Sequence, residues 1–129
     1  MERLRHEGGQ SLIETALSLS ILVFLLIGGV DMARAYSAQV GVLNAARAAA
    51  EAGATETATT VAAIQGYATE ELGRVPGVDS ALATVTVTGC CVSGALTVRV
   101  QYPFRTLIAW PLVPNQLALD RSATFRQFP

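Results

Sequence analysis

The chain has 129 residues, room for one small domain and one anchor. Hydrophobic residues make up 51% but aromatics only 6%, so the apolar excess is Ala, Val and Leu. A formal net charge of −1 gives bulk electrostatics no hold on nucleic acid, and a nucleic-acid partner is excluded on that ground.

The first nine residues are polar. A greasy run follows, and residues 15–30 carry no charge. As helix that run covers ~24 Å, short of the ~30 Å hydrocarbon core of a bilayer. Extending it back to Leu12 reaches ~28 Å but takes in Glu14. A carboxylate at the edge of a membrane segment is costly, so Glu14 is a functional residue by default. It must sit at the interface or find a cationic partner.

Three readings compete for this segment. One is a permanent membrane anchor carrying a binding module. A second is a secretory signal, cut after Ala35 in the A-x-A-like Ala33-Arg34-Ala35. Asp31 and Arg34 between the apolar run and that cut speak against it. The third is a leader removed ahead of the apolar run, where Gly8 and Gly9 stand. Arg3 and Arg5 precede the run and Arg34 and Arg47 follow it, so arginine counting does not orient the span.

The helical pattern runs from about Gln10 to Ala52, ~65 Å, with Gly53 as its expected stop. Past Asp31, residues Met32, Tyr36, Val40, Leu43, Ala46 and Ala50 recur at three- and four-residue steps and predict the inward face. A second helix is expected over residues 56–72, capped by Thr55 and stopped by Gly73, with Val61, Ile64, Ala68 and Leu72 inward. Then Ala83, Val85 and Val87 alternate with threonines, and Leu96, Val98, Val100 and Tyr102 alternate likewise. With a last strand over residues 117–126, these predict a small three-stranded antiparallel sheet. The fold class is α+β: a long N-terminal helix, transmembrane and then amphipathic, a second helix and the sheet.

Cys90 and Cys91 are adjacent at the expected hairpin tip, which should reach solvent. Their Cα atoms lie ~3.8 Å apart across a trans peptide, closer than the usual span of a disulfide. A vicinal bridge, bridges to another chain and free thiols all remain open. The stretch "PFRTLIAWPLVPNQ" crowds Leu107, Ile108, Trp110, Leu112 and Val113 into a proline-broken loop. It reads as a lid on the core, or else as a partner-docking patch or membrane contact. The only His lies in the polar leader, so neither a His-based triad nor a metal site is expected. No phosphate loop follows a strand, and neither an enzyme nor a cofactor is expected.

Gly9, Gln10 and then Glu14, fifth after the glycine and leading into an apolar helix, resemble the class III signal of type IV prepilins. The wider opening is similar to TadE-like proteins, pseudopilins of tight-adherence pili. The residues that carry this are Glu14-Thr15-Ala16-Leu17, Asp31-Met32-Ala33-Arg34 and Asn44-Ala45-Ala46-Arg47, with "LTVRVQYPF" and "LALDRSATFR" late in the chain. Many members have an aromatic at the place of Thr15 and a proline in the apolar run; this chain has neither.

The resemblance implies a leader over residues 1–9, an apolar assembly half over 10–30 and an extracytoplasmic pilin-like domain over 31–129. It implies cleavage between Gly9 and Gln10 by a prepilin peptidase, and pairing of Glu14 with a freed N-terminal amine. The implied partners are that peptidase, other pilins, the inner-membrane assembly platform and membrane lipid. The implied location is the cytoplasmic membrane, crossed once, with the domain outside and entry into the pilus as a further stage.

Overall fold

Helix α1 (Leu4–Ala54) is one uninterrupted helix of 51 residues in the computed structural model of the chain. The structure describes residues 4–90, 94–110 and 114–126, with side chains from residue 9 onward. The chain divides into two units, Met1–Ala33 and Arg34–Pro129. The first unit is helical over its described residues, with Leu12, Ile13, Leu17 and Leu19 exposed, and Ile21 through Leu26 as well.

The second unit holds the rest of α1, helix α2 (Val61–Gly73), a 3-10 turn at Ser80–Leu82, and strands β1 (Thr84–Thr88), β2 (Ala95–Arg105) and β3 (Gln116–Arg126). The strands form an antiparallel sheet in the order β1-β2-β3. Their registers include Val87 opposite Val98 and Leu119 opposite Tyr102. The α+β class and the three strands therefore match the expectation from alternation.

Both helix boundaries differ from it. Helix α1 runs through Gly53, because that glycine is used for room. A Cβ there would lie 2.8 Å from Ile64 Cδ1 and would also overlap Leu96. The reversal falls instead on Glu56, which takes φ +59°. The Ala58 N–H then donates to the Ala52 carbonyl at 3.0 Å, and Ala58 is buried. Helix α2 starts only after this turn. Its cap is Thr60, not Thr55, and the Thr60 hydroxyl accepts from the Ala63 N–H at 3.2 Å.

The inner face of α1 matches the expectation at Ala46 and Ala50 and differs at Met32 and Tyr36. Ala38, Val42, Ala45, Ala46, Ala49 and Ala50 are buried, whereas Met32 and Tyr36 are 74% and 72% exposed. Small side chains let the sheet come close to the helix, and closeness rather than side-chain size selects the buried stripe. Against it pack Ile64, Ala68 and Leu72 of α2 and Leu96, Val98, Val100, Tyr102 and Phe104 of β2. Val61, expected inward, is 45% exposed.

Side-chain bonds finish the unit. Gln65 Nε2 donates to the Val85 carbonyl at 3.0 Å, which closes the outer edge of β1 with a side chain from α2. The Asp79 N–H donates to the Tyr102 hydroxyl at 3.3 Å and ties the 3-10 turn to the sheet. Gly89 opens the β1–β2 turn at φ +79°, with the Ala95 carbonyl where a Cβ would stand.

Candidate membrane anchor and processing site

Gly9, Gln10 and Glu14 all lie on α1, and all three are exposed. A Cβ on Gly9 would meet nothing within 4 Å, so the backbone there is open to approach from outside the helix. Hydroxyl groups further along turn inward on the helix itself. Thr15 Oγ1 donates to the Ser11 carbonyl at 2.8 Å, and Ser20 Oγ to the Ala16 carbonyl at 2.9 Å. Such i to i−4 bonds satisfy polar groups without water, which is what a helix in hydrocarbon requires.

The surface of this segment is greasy on every side. Helix α1 contains an 18-residue stretch of mean hydropathy 2.2, none of it buried, and is long and apolar enough to cross a membrane. A core helix of a soluble domain hides such a surface, and this one does not. Glu14 lies at the N-terminal border of that surface.

Residues 9–51 match the family described as TadE-like protein, so this apolar segment is similar to that family. The match opens on Gly9 and closes on Glu51, so it covers α1 almost to its end and leaves the sheet outside. No curated protein and no solved structure matches the chain.

The other candidate residues lie outside the matched residues in the sequence. Cys90 is disulfide-bonded, half-buried and packed against the core cluster, where the sequence had suggested a solvent-facing tip. Cys91 lies outside the described residues. In the loop after β2, Leu107 is 61% and Ile108 42% exposed, so neither forms the expected lid on the core. Trp110 is half-buried, and Leu112 and Val113 lie outside the described residues.

The outer face of the sheet carries a carboxylate held far below its ordinary range. Asp120 accepts from Arg99 Nε at 2.9 and 3.1 Å, from Arg99 Nη2, and from Gln101 Nε2 at 3.0 Å. The Arg99 hydrogen bonds, then that from Gln101, hold its pKa down at about 2. The same pairing raises Arg99. A carboxylate so held is a poor proton acceptor at neutral pH, and the pair is a cross-strand clamp. Among the described residues no three His, Cys, Asp or Glu side chains come together as a metal site.

Proposed function

We propose that the chain is a membrane-anchored pseudopilin, or minor pilin, that takes part in assembling a tight-adherence (type IVc) pilus. The observation that carries this reading is the TadE-like match, which begins on Gly9 and spans the exposed apolar helix. In this reading a prepilin peptidase cuts after Gly9, and the new N-terminal amine of Gln10 is cationic. Glu14, at the border of the apolar surface, pairs with the amine of a neighbouring subunit, which removes the cost of both lipid-edge charges at once. The partners are the peptidase, other pilins and the assembly platform of the inner membrane. The domain that begins near Asp31 lies outside the cytoplasm, and the protein has a structural role rather than a catalytic one.

The test is the N-terminal sequence of the protein from cells that express the peptidase. A start at Gln10 is the expected result. A start at Met1 would leave a plain membrane-anchored module, and a start at Tyr36 a secreted domain. Gly9→Leu should abolish the cut and leave the precursor with its nine leader residues.

A further inference from the structure

Two contacts within the second unit fix the direction of β2 along α1. At one end Gly53 makes room for Leu96. At the other the Arg34 guanidinium lies 5.5 Å from the centre of the Phe104 ring. From Arg34 to Gly53 the helix rises ~28 Å. From Leu96 to Phe104 the strand covers ~27 Å. The two lengths agree, so β2 runs antiparallel alongside the helix. The chain past Arg105 therefore emerges at the end of this unit where the chain enters it, at Arg34. The Cys90 turn lies at the opposite end.

The segment that emerges there pairs several of its own polar groups and leaves two large apolar side chains outside. The Thr106 N–H donates to the Asn115 carbonyl at 3.1 Å, and Thr106 Oγ1 to the Ile108 carbonyl at 2.9 Å. The Trp110 N–H donates to Asn115 Oδ1 at 3.1 Å. Leu107 and Ile108 are left outside. No Asp or Glu occurs from Arg105 to Asn115, and Arg105 is exposed. Polar groups paired within the loop, two apolar side chains turned out, a tryptophan and a flanking arginine suit the water–lipid boundary.

The depth fits as well. Arg34 is four residues past Val30, the end of the uncharged run, or ~6 Å along a helix. A headgroup layer is also about 5–7 Å thick on each side of the hydrocarbon.

We propose that the start of the β2–β3 connection, residues 106–110, is a membrane-contact loop. It seats Leu107, Ile108 and Trp110 in the lipid interface at the level where the chain enters the second unit, with Arg34 and Arg105 at phosphate depth. The inference rests on the anchored reading above, so its test carries an internal control for that reading.

Trp110 is the only tryptophan, and its emission reports on this loop alone. The full chain is placed in vesicles of phosphatidylcholine and phosphatidylglycerol, with and without brominated acyl chains. The expected result is blue-shifted Trp110 emission, quenched by bromine near the headgroups and shielded from aqueous iodide. Leu107→Asp with Ile108→Asp should reverse all three effects. The control is Leu22→Trp in a Trp110→Phe background, which reports on the anchor. If the control is quenched by deep bromine and Trp110 is not quenched at all, the loop proposal is wrong and the anchor stands. Blue-shifted Trp110 without lipid quenching, growing with protein concentration, means a second copy covers the loop and also overturns it. If neither probe is quenched, the anchored reading falls and takes the loop with it.

Discussion

Replacing Gly53 by alanine sets two opposed effects on one methyl group. In a helix interior, alanine gains about 1 kcal/mol over glycine. At Gly53 the new Cβ would press on Ile64 and Leu96, and overpacking of this kind costs about 1–3 kcal/mol. The expected outcome is net destabilisation in urea titrations of the detergent-solubilised chain. Gly66 is the contrast, because a Cβ there meets nothing within 4 Å. Gly66→Ala should raise stability by about 0.5–1 kcal/mol. Glu56 gives the reverse case. Its φ of +59° costs a non-glycine residue about 1–2 kcal/mol. Glu56→Gly should recover part of that, less the greater freedom of glycine in the unfolded chain.

Asp120 yields a pH prediction. Its folded pKa, about 2, lies below the ordinary 3.8. A depressed carboxylate stabilises the fold above its unfolded pKa and loses that contribution as pH falls through the folded one. The loss should therefore run from about pH 4 down to pH 2. The pair is exposed, so the effect is small. Melting curves of Asp120→Asn should show a shallower fall than wild type across that window.

At the scale of elements, the strands were legible because alternation reports directly on which side of a sheet is dry. Val98, Val100 and Tyr102 are buried as their spacing predicts. The helix faces were less legible. Hydropathy points to the large residues Met32 and Tyr36, whereas the packed stripe is alanine, selected for the distance at which helix and sheet meet. Thr55 and Thr60 are both plausible caps by residue type, and only the reversal at Glu56 decides between them. Ala46 should accordingly resist enlargement: Ala46→Leu should destabilise by about 1–3 kcal/mol. Ile64→Ala, which empties the site that α2 fills, should cost about 2–5 kcal/mol. Denaturant midpoints of the two variants, with the slope unchanged, would check both.

At the scale of the whole molecule, Glu14 stands out in the sequence because a lone charge beside a greasy run is conspicuous. The position of residues 106–110 cannot be read there. It depends on the direction of β2 past α1, set by contacts such as Arg34 with Phe104 that are far apart in the chain. The assembly role proposed for Glu14 has its own test. Glu14→Gln should still enter the membrane but fail to support pili, while Glu14→Asp, with the charge kept and the reach shortened, should be intermediate. Electron microscopy of the cells would count the pili, and wild-type numbers with the Gln variant would reduce Glu14 to an interfacial residue without a partner.

The direction of the strands also has a mechanical consequence. Strand β3 sets out from the end of the second unit where the chain enters and finishes, at Arg126, beside Ala95 at the other end. Tension between Arg34 and Arg126 would act along the β2–β3 ladder, not across it. The rungs joining these 11-residue strands would then bear the load together. A hairpin drawn apart from its open end yields one rung at a time, but this pair is mounted as a shear joint. The Arg99–Asp120 clamp sits in the middle of that joint, bridging the two strands where they would have to slide.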